Sequence, residues 1–317
     1  MDAPAPLSLE VSSSPHISAA GVTTRNMMLD VVAALSPVMA VALFQHGYAA
    51  LFRLLLSAAA CVAVEAACDK ARGRALRLSD GSAALTGLLL ALSLPPTAPV
   101  YMILLGALTA IGLGKAVFGG LGQNLFNPAM VGRAFVSVAF PAAVSGAAYQ
   151  TDAYTGATPL TAFKVSAELT PLANLFQGSV AGSLGEVSAI ACLLGGGFLL
   201  LRRSAAWQIP TALLGTVLLL GILRHAAAGT APGWNALNDL SAGALLFGAF
   251  FIATDPVSSP LSHHGRICFG IGVGFITWFI RTFSGYPEGM MFAILLMNAA
   301  TPLLNQFMIP KPAGARA

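Results

Sequence analysis

Charge is what this chain most lacks. Its 317 residues include 16 Lys or Arg and 12 Asp or Glu, so charged side chains make up 9%, where an ordinary soluble domain carries roughly 25%. With 56% hydrophobic residues and a mean hydropathy of +0.79, that scarcity excludes a soluble globule. Cysteine is scarce too. Cys61, Cys68, Cys192 and Cys268 form no CxxC pair, so neither a thiolate metal cluster nor a disulfide framework is expected, and plain helix packing accounts for them. A basic n-region and a cleavage site are missing from the polar, Ser/Pro-rich N-terminus through Asn26, which is therefore read as a retained cytoplasmic lead-in. Finally, the net charge of +4 is not gathered into a basic stripe, so no nucleic-acid partner is expected.

Apolar runs long enough to cross a bilayer core recur along the sequence with short polar interruptions. The expected spans are about 27 to 45, 48 to 68, 82 to 95, 99 to 118, 125 to 143, 185 to 201, 207 to 225, 241 to 254, 267 to 281 and 288 to 305. The fold class is all-α: a polytopic membrane helix bundle of about ten helices.

Orientation follows from the basic residues, which short loops retain on the cytoplasmic side. An inside N-terminus puts Arg25, Lys70, Arg72, Arg74, Arg77, Lys115, Arg202, Arg203, Arg266, Lys311 and Arg316 inside. Arg53, Lys164, Arg224 and Arg281 fall outside, and Arg133 falls within a span. Both termini are then cytoplasmic. Residues 1–26 form the lead-in, 27–143 the first membrane half, 144–184 a periplasmic loop, 185–305 the second half and 306–317 a cytoplasmic tail.

Two spans are short and end in proline clusters: 82 to 95, before Leu94-Pro95-Pro96-Thr97-Ala98-Pro99, and 241 to 254, before Asp255-Pro256-Val257-Ser258-Ser259-Pro260. Each proline removes a backbone donor, and a freed carbonyl in lipid must find a partner or line a cavity. These are read as broken helices at corresponding places in two halves of opposite direction, the pattern of an inverted repeat whose discontinuous helices meet at a binding site. That pattern alone also fits a channel or secondary transporter.

In the 144–184 loop, Asp152-Ala153-Tyr154-Thr155-Gly156-Ala157-Thr158 precedes Pro159. Small neighbours leave the Thr158 hydroxyl accessible, although Thr-Gly-Ala-Thr-Pro also reads as a turn that caps a helix. The stretch Asp-x-x-Thr-Gly-Ala-Thr resembles the acceptor motif of periplasmic flavin transferases, which join FMN through its phosphate to the last threonine. Further stretches resemble the same family: Asp80-Gly81-Ser82 leading to Thr86-Gly87 and Leu94-Pro95-Pro96; Gly119 to Phe135; Gly182-Ser183-Leu184-Gly185-Glu186; Ala253-Thr254-Asp255-Pro256-Val257-Ser258; and Tyr286-Pro287-Glu288-Gly289-Met290. From about Ser14 to Gln306 they are similar to the RnfD and NqrB family. Its members are membrane subunits of the Rnf ferredoxin:NAD+ oxidoreductase and of the Na+-pumping NADH:quinone oxidoreductase. The compact chain, without a longer N-terminal extension, favours the RnfD branch.

The resemblance implies an electron-relay subunit of a redox-driven translocase in the bacterial inner membrane, with no complete active site on this chain alone. It implies covalent FMN on Thr158, a non-covalent riboflavin, coupling to Na+ or H+, and the partners RnfA, RnfB, RnfC, RnfE and RnfG. A periplasmic flavin transferase would mature it, with Asp152, Thr155, Gly156 and Ala157 completing the acceptor motif. Thr158 is then a tether, and the ring supplies the redox chemistry.

Within Gly119 to Phe135, glycines allow close approach of a flat ring or another backbone, and Asn127-Pro128 opens a helix. Gln123, Asn124 and Asn127 are candidates to bond a flavin's pyrimidine edge; close packing of small residues is the plainer reading. Arg133 needs an anionic partner at that depth, for which a flavin phosphate, a reduced anionic ring, Glu65 or Asp30 would each serve. Asp255 and Glu288 flank the second break and, with Glu65, are the candidate cation pathway; for Glu65 and Asp30 a structural polar contact or interfacial position is the plainer reading. His263 and His264 lack a third ligand, so no metal site is expected. Trp207, Trp234 and Trp278 near span ends suit interfacial anchoring.

Overall fold

The computed structural model describes residues 23–74, 80–144, 157–166, 168–186, 188–228, 234–286 and 288–308. Asp152, Thr155 and Gly156, and most of the lead-in and the tail, lie outside them. Among the described residues there are twelve α-helices and no strand.

The first, α1 (Thr24–Ala71), joins the first two expected spans and turns between them at Gly47, whose φ of 55° and ψ of −138° break the helix. Each arm is then about 35 Å long at 1.5 Å per residue, enough for a bilayer core of about 30 Å. The broken helix α2 (Ser82–Ser93) follows, then α3 (Val100–Ile111), which ends in a π-helical turn over Gly112–Ala116, and α4 (Pro128–Ala139). The 144–184 stretch carries two short helices, α5 (Pro159–Ser166) and α6 (Leu172–Gln177). The second half runs through α7 (Ala189–Leu201), α8 (Gln208–Ala228), α9 (Ala236–Ser241), α10 (Leu245–Phe247) with a π-helical turn over Gly248–Ile252, α11 (His263–Phe283) and α12 (Met290–Phe307).

By length and composition α1, α8, α11 and α12 are long and apolar enough to cross a membrane; α2, α3, α4 and α7 are shorter apolar helices. Within the expected span 241 to 254, Ser241 ends α9 and the helix resumes over 245–252. Polar side chains start the helices by taking otherwise orphaned N–H groups: Asn127 accepts from Met130, Ser188 from Ala191 and Ser262 from Gly265.

Small residues bring the helices together. A Cβ on Gly270 or Gly274 of α11 would sit 2.7 Å from the Ile209 or Leu213 carbonyl of α8, and this four-residue spacing of glycines permits backbone approach in membrane bundles. On the other side Gly87 of α2 faces the backbone of α1 at Ser57 and Ala58, and the Ser57 hydroxyl donates to the Gly87 carbonyl at 2.7 Å.

The broken helices run in opposite directions. The N-terminal end of α2 (Ser82, Leu85, Thr86) shares a cavity with Thr254 and Asp255, which follow α10. At its other end, Leu92 and Leu94 accept N–H groups from Gly185 and Leu184, in the loop whose Glu186 faces Ser241 and Gly243 ahead of α10 across another, larger cavity. Gly81 and Gly243 hold matching left-handed conformations, φ 74° and 70°, one and two residues before the two broken helices. This is the geometry of an inverted repeat.

Candidate functional site

Thr158 lies one residue before α5, and its hydroxyl is 2.8 Å from that of Thr161. It borders a cavity of about 530 Å³, within the roughly 300–1,000 Å³ typical of small-molecule sites. Helix α5 is fixed at several points. Phe163 stacks on Trp234 at 4.2 Å and 13°, and the Trp234 indole N–H donates to Asp239 Oδ1 at 2.8 Å. The Lys164 amine donates to the Ser284 and Tyr286 carbonyls at 2.6 and 2.7 Å. Burial, and then the nearby guanidiniums of Arg224 and Arg281, hold that amine below the usual lysine range.

Charge enters the cavity in two pairs. Arg133 on α4 donates from Nη1 to Glu186 Oε1 at 2.7 Å. Arg281, in the last turn of α11, donates from Nη2 to Glu288 Oε1 at 2.9 Å and Oε2 at 3.1 Å. Arg281 also donates to the Asp239 and Ala242 carbonyls, and Glu288 Oε2 accepts from the Ala244 N–H at 3.0 Å. The clamp sets the chain entry into α10. A Cβ on Gly243 would overlap Glu288 Oε2, and the left-handed backbone there suits glycine. Tyr286 and Phe292, edge-on at 5.8 Å, form part of an otherwise largely apolar lining.

The smaller cavity, about 70 Å³, lies where α2 begins and α10 ends. Lys115, 2% exposed in the π-helical turn after α3, pairs with Glu65 and donates to the Ser82 hydroxyl at 2.6 Å. Asp255 accepts from the Ser258 hydroxyl at 2.9 Å, from the Val257 N–H and, at 3.4 Å, from the Asn127 amide. Asn298 on α12 joins this network, with its amide turned to accept from Asn127 N–H and donate to the Ser258 carbonyl.

The structure divides the residues singled out in sequence. Thr158, Arg133 and Glu288 share the larger cavity. Ala157 is exposed beside Thr158. Asn124 and Asn127 border the smaller cavity with Asp255, and Gln123 is exposed and borders neither. The three acids of the expected cation pathway are likewise apart, with Glu65 bound to Lys115, Asp255 after α10 and Glu288 before α12.

Several expectations need correction. Arg133 is paired with Glu186 and with neither Glu65 nor Asp30, which make the expected structural polar contacts, to Lys115 and Arg202. Nor is Arg133 alone in being buried: Lys115 and Arg281, near the ends of their expected spans, are 2% and 8% exposed. Each closes a helix that follows a broken one, so a basic residue at the edge of an apolar run turned inward to a carboxylate. Trp234 is no interfacial anchor at 1% exposure, because it is the stacking partner of Phe163. Glu186 stands in the Gly182 to Glu186 motif with no role evident from sequence; an acid at the mouth of an apolar run was the available signal.

A model of the NQR2, RnfD, RnfE family matches residues 10–314. The chain belongs to that family. It is 40% identical to the D subunit of the proton-translocating ferredoxin:NAD(+) oxidoreductase complex of Clostridium ljungdahlii, over 96% of each chain. It is also 40% identical to the D subunit of the Na(+)-translocating ferredoxin:NAD(+) oxidoreductase complex of Acetobacterium woodii, over 95% of this chain and 94% of that one. The D subunit of the ion-translocating oxidoreductase complex of Citrobacter koseri is 36% identical over 96% of this chain and 99% of its own length. Two relatives of equal identity are thus named for different ions.

Proposed function

We propose that this chain is the D subunit of an ion-translocating ferredoxin:NAD+ oxidoreductase and carries FMN joined through its phosphate to Thr158. The observation that supports this most is the coincidence of the acceptor hydroxyl with a flavin-sized cavity. Thr158 borders about 530 Å³ of space that has apolar walls, an aromatic edge at Tyr286 and Phe292, and the guanidinium of Arg133. These residues suit the group, because an amphipathic ring with an anionic tail needs apolar flanks and a cation at the polar end.

In this reading the bound ring supplies one- and two-electron chemistry, and the chain supplies position, charge and exclusion of water. Thr158 anchors the phosphate. The Phe163 stack and the Lys164 bonds hold α5, and therefore the anchor, against the second membrane half. The Arg281–Glu288 clamp fixes the chain ahead of α10 and shapes the cavity's inner wall.

The basic residues support an inner-membrane orientation with cytoplasmic termini and the Thr158 loop in the periplasm, where the flavin transferase acts. The relay runs between partner subunits, for which RnfA, RnfB, RnfC, RnfE and RnfG are the candidates. A non-covalent riboflavin is expected from the family resemblance, and the 70 Å³ cavity is too small for its ring as it stands. Of the acids named for cation passage, Glu65 and Glu288 are engaged by Lys115 and Arg281, so the passage is assigned first to Asp255, at the end of the second broken helix.

The test is covalency. Protein made with the flavin transferase should stay fluorescent under ultraviolet light after denaturing electrophoresis. A colourless wild-type band contradicts the proposal.

A further inference from the structure

The two carboxylates that border the Thr158 cavity are held in different ways. Glu288 is gripped: Arg281 reaches both of its oxygens, and the Ala244 N–H donates to Oε2. Arg281 is itself fixed by the Asp239 and Ala242 carbonyls, so it cannot leave without stranding buried backbone acceptors. Glu186 ends a loop pinned to the C-terminal end of α2 by Gly185 N–H to Leu92 O at 2.7 Å and Leu184 N–H to Leu94 O at 3.2 Å. Its partner Arg133 reaches it from a different element, α4, through Nη1 at 2.7 Å, and both side chains border the cavity. The charged groups facing Glu186 are Arg133 from α4 and Glu288, with its Arg281, from the α11–α12 junction. Its other titratable neighbours among the described residues are the buried Cys192 thiol on α7 and the Tyr286 phenol across the cavity.

An opposite-charge pair in a low-dielectric cavity is stable while its charges balance and costly when a third charge is added beside it. A flavin ring that takes up two electrons and one proton becomes an anion at its N1–C2 oxygen edge, and a guanidinium offers parallel N–H donors that match such a planar edge. Arg133 is the cation that borders the cavity together with Thr158, whereas Arg281 does not border it.

We infer that Arg133 and Glu186 form the charge-compensating couple of the ring held at Thr158: on reduction Arg133 turns its N–H donors to the anionic edge, and Glu186 takes up one proton. This rests on the Thr158 reading. In balance, two electrons come from a redox carrier on a partner subunit and two protons enter from the aqueous phase outside the cavity, one taken up by the ring and one bonding to the Glu186 carboxylate. Before the step the cavity holds a neutral ring, a guanidinium and a carboxylate; afterwards it holds an anionic ring, a guanidinium and a carboxylic acid. Net charge in the cavity is zero in both states. Reoxidation returns Arg133 to Glu186 and releases both protons, so electron passage through this subunit carries one proton on the protein in addition to the one on the ring.

The test compares flavinylated wild type with Glu186→Gln, an isosteric change, by redox titration of the bound flavin's absorbance across neutral to mildly alkaline pH. The slope of potential against pH should correspond to one proton more per ring in wild type than in Glu186→Gln, and Glu186→Asp should restore it. A second measurement needs no variant. The reduced-minus-oxidised infrared spectrum of wild type should gain a carboxylic acid C=O band that shifts in D2O. Equal slopes in wild type and Glu186→Gln, or absence of that band, overturn the inference while leaving the ring in place. A wild-type chain that carries no ring after exposure to the transferase overturns the Thr158 reading and the couple with it.

Discussion

The two cavities sit at opposite ends of a pair of antiparallel broken helices and are built alike, yet they differ in size and in how their charges are held. Each lies beside the N-terminal end of a broken helix that is entered through a left-handed glycine, Gly81 or Gly243. Each has a buried cation at the end of the helix after the break, Lys115 or Arg281, paired with a carboxylate, Glu65 or Glu288. Lys115 spends its donors on two side chains, Glu65 and Ser82. Arg281 also takes two backbone carbonyls, which a compact ammonium in its place would not reach as a fork. One cavity has closed to about 70 Å³ and the other stands open at about 530 Å³. A shared framework has therefore been specialised by the choice of cation and by the α5 segment that brings Thr158 to one end alone.

Removing Arg281 should break the comparison hardest. Arg281→Ala leaves the half-buried Glu288 carboxylate without its cation and strands the Asp239 and Ala242 carbonyls, at a cost of about 2–3 kcal/mol. A thermal midpoint in detergent close to that of wild type would show that the clamp does not hold α10.

The two pairs should also respond differently to apolar replacement. Lys115→Met combined with Glu65→Leu removes both charges and leaves the Ser82 hydroxyl beside Asp80, its existing acceptor at 2.9 Å. Such double changes are often neutral, or stabilising by about 1–4 kcal/mol. Arg281→Met with Glu288→Leu should remain destabilising, because the Ala244 N–H and two carbonyls lose their partners. Matched thermal shifts for the two double variants would erase the distinction.

Smaller effects sharpen the picture. Gly243→Ala meets both a left-handed backbone, unfavourable by about 1–2 kcal/mol, and the Glu288 carboxylate, whereas a Cβ on Gly81 meets open space. The Gly243 variant should lose more stability than Gly81→Ala in the same melting assay. Asn127→Ala removes the α4 cap and one contact to Asp255. It should cost about 1 kcal/mol and leave flavin attachment at Thr158 unchanged, since Asn127 borders the other cavity.

How much of this was legible in sequence divides along physical lines. Hydropathy marked the ten apolar segments because burial in lipid demands apolar runs whatever the tertiary packing. The proline clusters marked both breaks because a missing donor acts locally. The split of Gly119 to Phe135 between two cavities was not legible: Asn124 and Asn127 precede α4 and Arg133 lies within it, so about one and a half turns of helix carry the guanidinium from one cavity to the other. Nor were the partners. Lys115 to Glu65, Arg133 to Glu186 and Phe163 to Trp234 are separated by 50 or more positions, and pairings of that range depend on how helices pack. Nor did the basic residues' positions near span ends show that Lys115 and Arg281 turn inward, because a cation with a carboxylate beside it need not reach the interface.

The central claim is that the hydroxyl of Thr158 carries the flavin. Peptide mapping by mass spectrometry of wild type and Thr158→Ala, each made with the flavin transferase, tests it most directly. The wild-type peptide containing Thr158 should gain the mass of one FMN less one water, and the Thr158→Ala chain should gain none. A flavin adduct that persists in Thr158→Ala, or that maps to another residue, would contradict the account.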